Sequence, residues 1–72
     1  MATPVYTRPT NKRYLGNTNN MEVHDLSNEK VQCQINEIVR AGHAVVFTPD
    51  TLDQAHREGY DNGAYCIGGS LR

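Results

Sequence analysis

Five side chains in this sequence have the chemistry to bind a metal or act as nucleophile and base: His24, His43, His56, Cys33 and Cys66. Imidazole and thiolate are the donors zinc prefers, so on paper the set could furnish a site. No two of them stand at ligand spacing, however, and the cysteines are too far apart in sequence to match any zinc pattern on their own. Nucleophilic catalysis by Cys66 would need a histidine within hydrogen-bond reach and donors aimed at a developing oxyanion, and nothing in the sequence calls for either. The carboxylates form no pair suited to acid/base work, and no glycine-rich phosphate loop precedes a helix. The expectation is therefore of a protein that is not an enzyme, with no cofactor and no metal.

Plainer readings stand beside each candidate. His56 falls on the apolar side of a helix, where a hydrogen-bonded core histidine is the common case. His24 ends a strand and His43 begins one, positions typical of surface or capping residues. In a reducing compartment Cys33 and Cys66 would be free thiols.

Composition narrows the class. At 72 residues, with 38% hydrophobic and 7% aromatic residues and no tryptophan, the chain suits one small α+β domain of modest core, with stability of roughly 4 to 10 kcal/mol. The formal net charge of −1 argues against a partner bound by phosphate neutralisation. The first 24 residues do carry Arg8, Lys12 and Arg13 against Glu22 alone, so a nucleic-acid partner held by this patch is a rival expectation, not the favoured one. No apolar run approaches the roughly 18 residues of a membrane span, and "MATPVYTRPTNKRY" lacks the apolar core of a signal peptide. A cytoplasmic location without membrane contact is expected.

The elements follow from local signals. "TRPTNKRYLGNTNN" is rich in turn formers and reads as a mobile loop at about 8–20, with short strands near 5–7 and 13–15. Met21 and Val23 alternate with polar neighbours, which predicts a half-buried strand at 21–24. Ser27 is a good N-cap, Leu26 can staple to Val31, and Val31, Ile35, Ile38 and Val39 recur at helical spacing. That predicts a helix over 28–41, ended by Gly42. At 100° per residue Cys33 would lie opposite its apolar stripe, exposed or covered by the N-terminal arm.

"HAVVFT" predicts a buried strand. Thr48 as cap, Pro49 at the first helical position and Asp50 in the first turn predict a second helix, ended by Gly59 with Tyr60 folding back on it. "DNG" then turns the chain into "AYCIGG" and a frayed end at 68–72. The expected fold is α+β, with two helices packed on one face of a small antiparallel sheet.

The stretch "VFTPDTLDQAHREGYDNGAYC" resembles the metal-binding module of the Ada DNA-repair family, through Phe47, Thr48, Ala55, Gly59, Tyr60 and Cys66; "YTRPTNKRYL" is similar to that family's opening. The resemblance implies four cysteine ligands, of which Cys66 alone is present. Asn11 stands at the first, no cysteine follows by Leu15, and Gly63 stands at the third. One thiolate does not close a structural zinc site, so the resemblance implies a shell that has lost its metal.

The functional expectation is a non-catalytic binding or accessory module. Its partner would be a protein or a small anionic ligand, held at Arg8, Asn11, Asn62, Gly63 and Cys66, where the backbone donors of a tight turn converge. The rival in zinc chemistry joins Cys33 and Cys66 to histidines.

Overall fold

The computed structural model describes residues 2–63. Five strands form one sheet in the order β1 (Ala2–Pro4), β4 (Ala44–Phe47), β2 (Tyr14–Asn17), β3 (Glu22–Asp25) and β5 (Asp61–Asn62). All pairings are antiparallel except the last, in which the two-residue β5 runs parallel to β3. Two helices complete the fold, α1 (Ile35–Arg40) and α2 (Leu52–Arg57). The class is α+β, as the sequence implies. The expected loop at 8–20 contains a central strand, because Gly16 and Asn17 pair on both sides and Leu15 and Gly16 are buried.

The helices lie on opposite faces of the sheet rather than sharing one. Alternation along each strand divides the core in two. Leu15 and Ala44 pack with Cys33, Ile35, Ile38 and Val39 on the α1 side. Val23, Val45 and Phe47 pack with Ala55 and Tyr60 on the α2 side. All four residues of β4 are buried, as a central strand covered on both faces requires.

The first helix is half the expected length. Val31–Cys33 forms a separate 3-10 turn, and Gln34 follows in the left-handed conformation at φ 56 and ψ 43 before α1 begins. A continuous α-helix would set residues 33 and 35 about 200° apart. Here both are buried, Cys33 at 3% exposure and Ile35 at 1%. The left-handed residue reverses the chain between them, so both side chains enter one core while Val31, expected in the stripe, is 91% exposed. Upstream, Ser27 lies inside a separate 3-10 turn, Leu26–Asn28, capped by Asp25, whose Oδ1 accepts from the Ser27 amide at 2.9 Å and hydroxyl at 2.6 Å.

The second helix starts three residues late. Thr51 is its cap, accepting from the Gln54 amide at 3.1 Å. Asp50 is drawn elsewhere: its two carboxylate oxygens accept from the amides of Arg13 and Tyr14 at 2.7 and 3.0 Å. A side chain that holds the start of β2 cannot also serve the first turn of α2. The helix ends follow the glycines as expected, with φ 80 at Gly42 and 93 at Gly59. The Tyr60 amide donates back to Ala55 at 3.0 Å, and that of His43 to Ile38 at 3.1 Å.

Candidate functional site

A cleft of about 260 Å³ opens between the β2–β3 hairpin and the turn that leads into α1. The hairpin supplies Asn17, Asn20, Glu22 and His24; the other wall is Gln32, Cys33, Gln34 and Ile38. Register accounts for the first wall. Asn17 pairs with Glu22 and Leu15 with His24, and directly opposed residues of an antiparallel pair share a face, here the α1 face. The left-handed Gln34 accounts for the second, since it turns Cys33 toward this side of the sheet.

Four carboxamides and one carboxylate dominate the lining, and among the described residues no lysine or arginine borders it. Asn20 Nδ2 donates to Glu22 Oε1 at 3.2 Å, and Asn17 Oδ1 accepts from the Asn19 amide at 2.9 Å. Sites for drug-sized molecules run from about 300 to 1,000 Å³, so this cleft suits something smaller.

His24 is the unusual member. It is 6% exposed, and neither ring nitrogen has a hydrogen-bond partner. Nearly all buried polar groups are satisfied, so an imidazole with two orphaned nitrogens carries an energetic cost that calls for an occupant. Burial pushes its pKa below the ordinary 6.5, and the charge of Glu22 offsets only part of that. The ring is neutral at pH 7 and offers one donor and one acceptor. Ending a strand puts His24 among surface or capping residues in the sequence reading; with a helical segment on each side of the sheet, the ring is covered instead.

Cys33 corrects a second expectation. It is disulfide-bonded, so the free-thiol reading is overturned for it. Cys66 lies outside the described residues.

The remaining expected site residues are dispersed. Arg8 makes a bidentate pair with Glu29, at 2.9 Å from Nη1 and 2.5 Å from Nη2, and donates to Asn36 at 3.2 Å. The Glu29 bond raises the Arg8 pKa, and Arg8 lowers that of Glu29. Asn11 is exposed, with φ 57. Gly63 does come together with the cleft's histidine. The Gly63 amide donates to the Val23 carbonyl at 2.9 Å, and a Cβ placed on Gly63 would stand 2.8 Å from His24 Nδ1. That amide extends the β3–β5 ladder and does not project into an anion nest.

Asn62 Oδ1 lies 2.6 Å from His56 Nε2, so His56 is hydrogen-bonded, but on the surface rather than in the core. In the basic patch, Arg13 bridges to Asp25 at 3.1 Å. Burial pushes the Asp25 carboxyl up, but the bonds from Ser27 and Arg13 outweigh it and hold the pKa below its ordinary value. Two of the three cations available for a phosphate backbone are thus paired with carboxylates.

Among the described residues no group of three histidine, cysteine or acidic side chains gathers as a metal site, and no helix is long and apolar enough to cross a membrane. Compared with known proteins, the chain matches no family model, no curated protein and no solved structure.

Proposed function

We propose that this chain is a small non-catalytic binding module whose ligand is a polar molecule, neutral or singly positive, held in the cleft between the β2–β3 hairpin and Gln34. The observation that carries this reading is the lining itself. Asn17, Asn20, Gln32 and Gln34 present paired donors and acceptors, and among the described residues Glu22 presents the one fixed charge and no cation is there to receive an anion. Carboxamides read hydroxyl and amide groups, which exchange both donor and acceptor with them. The wall is set on a hairpin and a strained turn, so it is formed before the ligand arrives, which lowers the ordering cost of binding. This favours the cleft over Arg8, whose charge is already spent on Glu29.

The test is an amide and side-chain NMR titration with three probes: a small polyol, a primary ammonium compound and inorganic phosphate. Saturable shifts at Asn17, Glu22, Gln32 and Gln34 with the polyol or the ammonium compound are expected. Phosphate shifts centred on Arg8, Asn62 and Gly63 would return the site to the turn before Cys66. No saturable shift with any probe would remove the binding reading.

A further inference from the structure

Glu22 stands on the cleft wall without the kind of partner that other carboxylates of this chain have. Glu29 is paired with Arg8 and Asp25 with Arg13, but among the described residues no cation bridges to Glu22, whose Oε1 accepts from Asn20 Nδ2. The neighbouring His24 does not use it either, since both ring nitrogens are without a partner. We propose that the cleft holds a primary ammonium group on a short aliphatic stem, with Glu22 as its counter-ion and the carboxamide oxygens of Asn17, Gln32 and Gln34 as further acceptors. This rests on the binding reading above and narrows its ligand to one class.

The balance of donors and acceptors selects that class. A carboxylate only accepts, whereas a carboxamide brings one oxygen and one NH₂ group, so Glu22 tips the lining toward acceptors. One hydrogen of Asn20 is already given to Glu22, which tips it further. Asn17 Oδ1 takes the Asn19 amide and keeps a second lone pair. A hydroxyl ligand carries the same bias as the wall, with one hydrogen and two lone pairs, while an ammonium group has three donors and no acceptor. Hydrogen bonds with ionised partners are also roughly twice as strong as neutral ones.

Electrostatics and shape agree with this. Glu22 and His24 are two residues apart on β3, so their side chains share a face. Burial holds the ring neutral at pH 7, and it therefore neither cancels the Glu22 charge nor repels a cation. Ile38, part of the buried α1 cluster, borders the cleft on the other wall and gives a carbon stem an apolar contact. The volume of about 260 Å³ takes a head group with a few methylenes, where a bare metal ion would leave most of it unfilled. Free alkylamines and the lysine side chain of another protein share this chemistry.

The experiment titrates the full chain, its disulfide intact and its ionic strength held constant with KCl, and follows amide and side-chain NMR. Propylammonium is expected to give saturable shifts at Asn17, Glu22, Gln32 and Gln34. Tetramethylammonium has the charge without donors, and 1-propanol has the stem without charge; each should bind at least about tenfold more weakly. Glu22→Gln should weaken propylammonium binding by a similar factor, whereas Asp53→Asn on α2 should not change it. A Gly-Lys-Gly peptide with blocked ends distinguishes the sources: binding tighter than that of propylammonium assigns the site to a protein lysine, weaker binding to a free amine.

Should Glu22→Gln fail to fold, the three small probes on the wild-type chain still decide. Equal affinity for propylammonium and either of the other two would overturn the proposal, as would unchanged affinity in Glu22→Gln. Saturable binding of a small polyol without that of propylammonium would sink the ammonium class alone and leave the binding reading standing. Failure of every probe would remove both.

Discussion

On the α2 face of the sheet, Phe47 and Tyr60 meet edge to face, their ring centroids 5.1 Å apart, and Val23, Phe47 and Ala55 are sealed completely from solvent. On the α1 face, Leu15, Ile35 and Ala44 are sealed as well, but the cluster gives way at β3 to a buried histidine with no partner and a cleft lined by amides. Strands shared by both faces make the difference instructive. The first face spends its residues on close contact, the second interrupts its core to hold polar groups that only an occupant can satisfy. A domain of this size, with a small stability margin, tolerates the second face because the first is complete.

Truncating a large, fully buried side chain on each face tests this most harshly. Phe47→Ala is expected to cost about 3–5 kcal/mol and Ile35→Ala about 2–5 kcal/mol, both read by urea unfolding. The contrast lies in the ligand: Ile35→Ala should also weaken binding in the cleft, through the turn at Gln34, while the folded fraction of Phe47→Ala should bind as the wild type does. Equal loss of binding in both would make the two faces one unit.

Much of this contrast is legible from the residues, but not all of it. Capping glycines at 42 and 59 and the apolar run of β4 act through neighbours in sequence, so their reading survives folding. Burial of Ile35 and Phe47 follows for the same reason. His24, Cys33 and Asp50 depend on distant partners: the cover on the second face of β3, a disulfide, and the amides of Arg13 and Tyr14. Strong local signals for Ser27 and Thr48 as helix caps are overridden: Ser27 sits inside a 3-10 turn capped by Asp25, and Thr51 caps α2. The cleft was missed because its carboxamides carry no spacing pattern. The one clue was a histidine alternating with a valine in a strand flanked by helical segments.

Adding a single methyl on each face is the next largest perturbation. At Gly16 a Cβ would meet Phe47 at 2.7 Å, Val45 at 2.8 Å and Tyr60 at 3.0 Å. These three side chains lock one another, so Gly16→Ala should cost about 1–3 kcal/mol with no single compensating change. At Gly63 the obstacle is mainly one ring, His24, with the Val23 carbonyl at 3.1 Å. Gly63→Ala should therefore be destabilising alone and much less so in a His24→Ala background, a coupling of about 0.5–3 kcal/mol in a double-mutant cycle. Additive effects at Gly63 would mean that the ring already has room to move, and the cleft would lose its rigid wall.

Acid should separate the faces next. The folded-state pKa of His24 lies below its ordinary 6.5, so the unfolded chain binds the proton more readily. The stability this group contributes is fully present above pH 6.5 and is lost as the pH falls toward the folded value. Asp25, Glu29 and Glu58 are also held below their ordinary values, of 3.8, 4.5 and 4.5, and their contribution is lost only in the window beneath those. A decline in thermal midpoint that begins near pH 6.5 and disappears in His24→Gln is expected. A midpoint that is flat until the carboxylate range would place the His24 ring in water.

The smallest effect concerns the turn that builds the cleft. Both helices end on a left-handed glycine, Gly42 at φ 80 and Gly59 at φ 93, but α1 also has a left-handed residue before it that is not glycine, Gln34 at φ 56. An L-residue in this conformation costs about 1–2 kcal/mol, and glycine gives back about 0.5–1 kcal/mol through its freer unfolded chain. Gln34→Gly should then be neutral or stabilising by about 1 kcal/mol. The same substitution removes a carboxamide from the cleft wall, so ligand binding should fall while stability holds or rises. That opposition is what a residue kept for its side chain against the preference of its backbone produces. If Gln34→Gly instead destabilises the chain and leaves binding intact, the glutamine is structural, and the cleft's specificity rests on the hairpin wall alone.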